Sequence, residues 1–130
     1  MRVALFVTCL SDTLYPDVAR ATVRVLSRFG CEVVFPEAQI CCGQPMYNSG
    51  YHADAKRAAQ ALVAALEGTD AIVSPSGSCT TMVRNEWAHL FAGDREWAPR
   101  AHAIAKRSYE ICEFLVDRLG VDALDQPLGR

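Results

Sequence analysis

The sequence has almost no excess of charge of one sign and no long hydrophobic run. Its 130 residues carry 13 Lys and Arg against 15 Asp and Glu, a formal net charge of −2. Such a balance offers no electrostatic surface for nucleic acid or an anionic membrane. No apolar run reaches the roughly 18 residues that a membrane span needs. The apolar start at 1–7 is too short for a secretory signal peptide. We therefore expect no nucleic-acid partner, no membrane insertion and, by default, a cytoplasmic location.

Hydrophobic periodicity predicts strands that alternate with helices. Short β-rich runs at residues 2–8, 31–35 and 70–74 read as buried strands, with amphipathic helices after each of them. The order β-α-β-α-β-α-α predicts an α/β fold, a three-layer domain with a short parallel sheet and helices on both faces. The expected strand order is 2-1-3.

Two helical patterns carry specific expectations. The first helix is expected to carry Leu14, Val18, Ala21, Val25 and Phe29 on one face. The last helical stretch is expected to begin near Pro99 and to keep its period through Leu119.

We expect residues 1–124 to form one cysteine-rich domain. Residues 125–130 read as the start of a linker to a second copy of the domain.

Cysteine is the informative residue type, with six in the chain. Without a secretion signal, clustered thiols indicate metal or redox chemistry more than disulfides. The six are Cys9, Cys31, Cys41, Cys42, Cys79 and Cys112.

Four of these cysteines are expected to meet at one edge of the sheet. Cys9 follows the first predicted strand, Cys41 and Cys42 lie in the loop after the second, and Cys79 follows the third. The carboxyl ends of parallel strands share one edge, where ligands bind. Four converging thiolates predict a site for a soft metal: zinc, Cu(I) or an iron–sulfur cluster.

The other two cysteines are expected outside this site. Cys31 begins the second strand, at the opposite edge of the sheet. Cys112 falls on the apolar stripe of the last helix, so we expect both thiols to be core or partly buried.

Two kinds of metal site remain open at this point. Neighbouring side chains in an extended segment diverge, so Cys41 and Cys42 can ligate one tetrahedral zinc ion only with a contorted backbone. A multi-iron cluster is larger and accepts both neighbours, which favours an iron–sulfur cluster. The alternative is one structural zinc ion, in an interaction module with no redox role.

The cysteine pattern resembles the cysteine-rich CCG domain family. Cys9, the segment 10–40, the pair Cys41-Cys42 followed by Gly43, and then Cys79 reproduce the family spacing over essentially the whole chain. This domain occurs, usually twice per chain, in heterodisulfide reductases and in the iron–sulfur subunit of glycolate oxidase. Residues 41–51 (CCGQPMYNSGY) and 74–79 (SPSGSC) are most similar to the amino-terminal halves of family members that serve in lactate utilization.

The resemblance implies a cofactor and its ligands. In the reductase relatives five cysteines hold a non-cubane [4Fe–4S] cluster, and the family pattern ends in Cys-x-x-Cys. Here Met82 stands where the fifth cysteine would be, so only Cys9, Cys41, Cys42 and Cys79 match. Four thiolates are enough for a conventional [4Fe–4S] cluster.

The resemblance also implies a function. It is electron transfer within an iron–sulfur oxidoreductase complex that oxidises a small 2-hydroxy acid, expected to be L-lactate. The expected partners are other lactate utilization subunits, a second CCG domain or a second copy of the chain. No flavin or nicotinamide fingerprint follows a predicted strand.

Residues near the cysteines have alternative interpretations. His52 is either an exposed histidine at a helix start or an outer hydrogen-bond donor to the cluster. Tyr47, Asn48 and Tyr51 either pack on their own helix or meet a partner. Arg84 follows Cys79 with one residue too few for the Cys-x5-Arg phosphate cradle of tyrosine phosphatases, which argues against a cysteine nucleophile.

Overall fold

The computed structural model describes residues 1–123, so the predicted linker at 125–130 lies outside the described residues. The chain forms a four-stranded sheet in the order β2-β1-β3-β4, with every neighbouring pair parallel. This confirms the α/β fold and the predicted order 2-1-3, to which a fourth strand is added. The strands are β1 (Arg2–Leu5), β2 (Glu32–Val34), β3 (Ala71–Ser74) and β4 (Ser108–Glu110).

Helices connect the strands, and two of them pass into π-helical turns. In chain order they are α1 (Cys9–Leu14), α2 (Pro16–Arg28), α3 (Gln44–Asn48), α4 (His52–Leu66), α5 (Gly77–Thr81), α6 (Trp87–Leu90), α7 (Trp97–Lys106) and α8 (Ile111–Glu113). The π-helical turn Met82–Glu86 joins α5 to α6, and a second one, Phe114–Arg118, follows α8. No helix within residues 1–123 has the length and apolar character needed to cross a bilayer.

Alternating residues of the strands build two cores, one on each face of the sheet. Successive strand side chains point to opposite faces. Ala4 and Ile72 therefore pack with α4, α6 and α7 on one face. Val3 and Val73 pack with Leu26 of α2 and with Phe114 on the other. The predicted three layers follow from this arrangement.

The expectation of one continuous helix from Pro99 to Leu119 is wrong. The chain leaves α7 after Lys106, forms β4 beside β3, and becomes helical again at Ile111. Ile104 is buried on one face of the sheet and Phe114 on the other. The chain must cross from one face to the other between these two residues, and β4 makes that crossing while it extends the sheet.

The expectation of one continuous first helix, with those apolar residues on a single face, is also wrong. A break at Tyr15, with Pro16 at the first position of α2, divides the segment into two helices. Pro is favoured at a helix start because it has no N–H to lose there. Burial in α2 follows Thr22 and Leu26, one position after the predicted residues, and Leu14 and Val18 are exposed.

Candidate metal centre

Three connections after consecutive strands supply four thiols to the carboxyl edge of the sheet. Cys9 is the first residue of α1, whose start is capped by Thr8: its Oγ1 accepts from the Ser11 N–H at 3.2 Å. Cys41 and Cys42 precede α3. Cys79 lies in α5, the helix that follows β3.

The four thiols meet as two contacting pairs. The Cys9 and Cys41 sulfurs are 3.8 Å apart, and the Cys42 thiol donates to the Cys79 sulfur. All four residues line a single cavity of about 300 Å³. The convergence expected from the strand order is therefore present.

The exposure of the thiols increases from Cys42 to Cys9. Cys42 is 2% exposed, Cys41 and Cys79 are half-buried, and Cys9 is exposed. The cavity thus has a buried side at Cys42 and a solvent side at Cys9, so Cys42 and Cys79 form an inner pair and Cys9 and Cys41 an outer pair.

One hydrogen bond shifts the pKa values of the inner pair, Cys42 and Cys79, in opposite directions. The donated hydrogen bond to Cys79, together with burial, raises the pKa of the Cys42 thiol. The same bond, with help from the Ser76 and Ser78 hydroxyls, lowers the pKa of Cys79 to about 6 against the opposing effect of burial. Burial, followed by the proximity of Cys41, raises the pKa of Cys9. Cys79 is therefore the thiol most prepared to act as a thiolate ligand.

The Gln39 side chain fixes the loop that carries Cys41 and Cys42. Its Oε1 accepts from the Val7 N–H at 2.9 Å, and its Nε2 donates to the carbonyls of Leu5 at 3.1 Å and Pro36 at 3.0 Å. Because Leu5 ends β1 and Cys9 follows shortly after, this amide joins the two segments that bear the outer pair.

Two further contacts fix the backbone at Cys42. Gly43 has φ +91°, and a Cβ there would lie 2.9 Å from the Ala55 carbonyl oxygen, so α4 packs directly on the glycine. The Trp87 indole N–H donates to the Cys42 carbonyl at 3.0 Å. Neither the Trp87 contact nor the Gln39 contact leaves a local signal in the sequence, because Trp87 is 45 residues from Cys42 and Gln39 is 32 residues from Val7.

The two remaining cysteines lie apart from the cavity. Cys31 is 7% exposed just before β2, as expected. The expectation that Cys112 is core or partly buried is wrong, because its thiol is exposed. The crossing through β4 resets the helical phase, so Phe114 rather than Cys112 faces the core.

The structure also places the remaining candidate residues, namely Met82 and the side chains in and near α3. Met82 is 1% exposed in the core. Tyr47 stacks on His52 with ring centroids 4.8 Å apart and hydrogen-bonds to Glu86. His52 lines a separate cavity with Tyr47 and His89, not the thiol cavity, which argues against the outer-donor interpretation. Asn48 and Tyr51 are exposed.

The donor set fits a soft metal group. Four thiols face one cavity, and thiolates select zinc, Cu(I) or iron–sulfur clusters. Within residues 1–123, no three or more His, Cys, Asp or Glu side chains are arranged around the position of a single metal ion.

Comparison with known proteins gives the relatives of the chain. Residues 3–84 match the family model of the cysteine-rich domain CCG. Over 122 residues the chain is 57% identical to lactate utilization protein A of Bacillus velezensis. The aligned region covers 94% of this chain and 51% of that protein. With the same coverage the chain is 53% identical to lactate utilization protein A of Bacillus subtilis and 52% identical to that of Geobacillus thermodenitrificans. The chain thus spans about half the length of these curated relatives. No solved structure matches it.

Proposed function

The chain belongs to the family of cysteine-rich CCG domains, and from this membership we propose that its converging thiols hold an iron–sulfur cluster. The ligands are the thiolates of Cys9, Cys41, Cys42 and Cys79. Four thiolates are the complement of a conventional [4Fe–4S] cluster, which is the form we propose.

One observation carries the proposal of a cluster: neighbouring thiols face different partners. Cys41 contacts Cys9, while Cys42 contacts Cys79. In a [4Fe–4S] cluster held by four thiolates each iron takes one of them, so neighbouring thiols that turn to different partners in one cavity can serve different irons. The arrangement of the four thiols around one cavity therefore suits a group with several iron ions.

The function that this site supports is electron transfer. A bound cluster supplies one-electron chemistry, with a potential that responds to hydrogen bonds at the sulfurs and to solvent exposure. The chain holds the cluster, keeps water from the Cys42 side and leaves the Cys9 side open. We propose that it serves as a subunit or domain of an iron–sulfur oxidoreductase that oxidises a small 2-hydroxy acid, namely L-lactate. The names and identities of the relatives support this substrate.

A partner is expected at the open side of the cavity. Apolar side chains surround the exposed thiols there: Leu10, Tyr15, Phe35 and Ile40. Exposed apolar groups around a site favour a protein interface. We propose a second CCG domain or another lactate utilization subunit as the partner, with self-association of the chain as a third form. Residues 1–124 would be the domain and 125–130 the start of the connection to a second copy.

The proposed location is the cytoplasm. Clustered cysteines in a reducing compartment serve metal binding more often than disulfides, which suits the four converging thiols.

A structural zinc ion is the second candidate. The absence of a fifth cysteine favours it, since Met82 is buried in the core and leaves four thiols, the number that a structural zinc site with only cysteine ligands uses. The division of Cys41 and Cys42 between two partners argues against it.

The test is the metal and sulfide content of the chain, purified and reconstituted without oxygen. About four iron and four sulfide per chain, with a broad visible band that bleaches on reduction, is the expected result. The double variant Cys41→Ser/Cys42→Ser should lose this iron, while Cys112→Ser, which changes an exposed thiol away from the cavity, should retain it. Stoichiometric zinc without iron would establish the alternative, and unchanged iron in the double variant would exclude the proposed ligands.

A further inference from the structure

A buried hydrogen bond links the core of the domain to the innermost ligand. The Trp87 indole N–H donates to the Cys42 carbonyl at 3.0 Å, and both residues are almost completely buried, at 1% and 2% exposed. Trp87 follows the π-helical turn and packs edge-on against Phe91, with ring centroids 6.3 Å apart. Its ring is thus held by the core, and its polar atom faces the cysteine loop.

This hydrogen bond acts on the peptide plane between Cys42 and Gly43. A peptide unit is planar, so fixing the Cys42 carbonyl also fixes the Gly43 nitrogen. Gly43 cannot move freely, because its φ of +91° places it against the Ala55 carbonyl. The next amide, the N–H of Gln44, then donates to the Cys42 sulfur. A side chain from another element therefore determines where the Cys42 sulfur lies and which N–H it receives.

We propose that Trp87 is a positioning residue for the metal site and acts through the Cys42 carbonyl. It keeps the Cys42–Gly43 peptide in the orientation that holds the Cys42 sulfur in the cavity and aims the Gln44 N–H at it. The inference rests on the proposed function for its effect on a cluster. The effect of Trp87 on the cysteine loop does not depend on whether a cluster is bound.

The first test measures access to Cys42 in the chain purified without added metal. Timed pulses of N-ethylmaleimide, followed by digestion and mass spectrometry, give the labelling rates of Cys42 and Cys31. Trp87→Phe removes the donor and keeps an aromatic ring. Loss of about one net hydrogen bond corresponds to about a tenfold increase in opening. We therefore expect Cys42 to be labelled about tenfold faster, with Cys31 unchanged.

Two further substitutions distinguish a specific effect on the position of Cys42 from a general loss of core stability. Ile104→Val removes a methyl group from the same core, at a residue with no ring contact to Trp87, so it should leave the ratio of Cys42 to Cys31 labelling unchanged. Benzothienylalanine at position 87 keeps the shape of tryptophan and lacks the N–H. It should reproduce the selective labelling of Cys42 even if Trp87→Phe fails to fold. Equal acceleration of both cysteines in the position-87 variants would overturn the inference.

The second test is the midpoint potential of the reconstituted chain. An N–H donor to a ligand sulfur stabilises the reduced state, so loss of the Gln44 hydrogen bond should make the potential more negative in the position-87 variants. Ile104→Val should leave the potential unchanged. The same potential in all three variants would contradict the positioning role. Failure of the unaltered chain to bind iron would overturn the proposed function, and the labelling result would still decide the role of Trp87.

Discussion

Cys41 and Cys42 are neighbours in the chain, but their sulfurs contact different partners. The Cys41 sulfur lies 3.8 Å from that of Cys9, and Cys42 hydrogen-bonds to Cys79. The two pairs come from all three strand-to-helix connections, so each depends on the fold rather than on a local motif. The outer pair, Cys9 and Cys41, and the inner pair, Cys42 and Cys79, therefore differ in what their loss should do.

The outer pair should behave as one unit in metal binding. Cys9→Ser and Cys41→Ser should each lower the iron retained by the reconstituted chain by about tenfold or more, because either change removes a soft ligand from the same pair. The double variant should be no worse than either single variant, since residues that act as one unit are not additive. Iron and sulfide analysis of the four proteins measures this. Cys112→Ser is the matched control, and independent losses that multiply in the double variant would contradict the pairing.

The meeting of the four cysteines follows from the sequence, but their pairing does not. Strand periodicity and the rule that parallel strands share a carboxyl edge are enough to bring Cys9, Cys41 and Cys79 together. Which thiol contacts which depends on the Cys42 backbone, and Trp87 and Gln39 fix it from distant positions. Such long-range contacts leave no periodic signal.

The errors in the helices have the same origin. The β4 strand is three residues long, and it exists because β3 offers a free edge beside it. The helical spacing of apolar residues on either side of Ser108 contains no information about the free edge of β3. The exposure of Leu14 and Val18 likewise depends on where α2 docks, not on its own pattern.

The Gln39 amide should contribute both to stability and to the site. Gln39→Ala leaves the Val7 N–H and the Leu5 carbonyl without this partner, and loss of such part-buried hydrogen bonds costs about 2 kcal/mol. Denaturant unfolding of the metal-free chain measures this loss, and reconstitution should show lower iron retention. Gln39→Glu keeps an acceptor for Val7 but places a carboxylate against the Leu5 and Pro36 carbonyls, so it should also destabilise the chain. Wild-type stability in both variants would show that the amide does not hold the loop.

Gly43 should tolerate a methyl group far less than Gly50 does. Both have positive φ, +91° and +86°, so alanine at either position carries the strain of a left-handed backbone, about 1–2 kcal/mol. Only at Gly43 would the new Cβ approach a backbone oxygen, at 2.9 Å from Ala55, while Gly50 has nothing within 4 Å. We expect Gly43→Ala to lower the free energy of unfolding by about 3 kcal/mol or more, since overpacking adds to the strain. Denaturant unfolding of both variants measures the difference, and equal losses would contradict close packing of α4 on the cysteine loop.

Asp94 should make the stability of the domain sensitive to acid. Its carboxylate accepts from the Trp97 N–H at 3.0 Å, at the start of α7, and pairs with Lys56 at 2.9 Å. These two contacts, the backbone donor first, lower the pKa of Asp94 below its ordinary value. The unfolded chain then takes up the proton at a higher pH than the folded chain does. The stabilisation is therefore present at neutral pH and is lost as the pH falls below the ordinary pKa of an aspartate and through the lower pKa of the folded state.

Thermal unfolding of the metal-free chain across this pH range tests the role of Asp94. Asp94→Asn keeps an acceptor for Trp97 and removes the charge, so it should lower the melting temperature at pH 7 and flatten its decrease toward acid. Lys56→Gln removes the weaker of the two causes of the lowered Asp94 pKa and leaves the backbone donor. The fall in its melting temperature toward acid should therefore be smaller than that of the unaltered chain and larger than that of Asp94→Asn. If Asp94→Asn lost stability toward acid as steeply as the unaltered chain, the acid sensitivity would have to come from other carboxyl groups, and the Asp94 contacts at the start of α7 would not be its source.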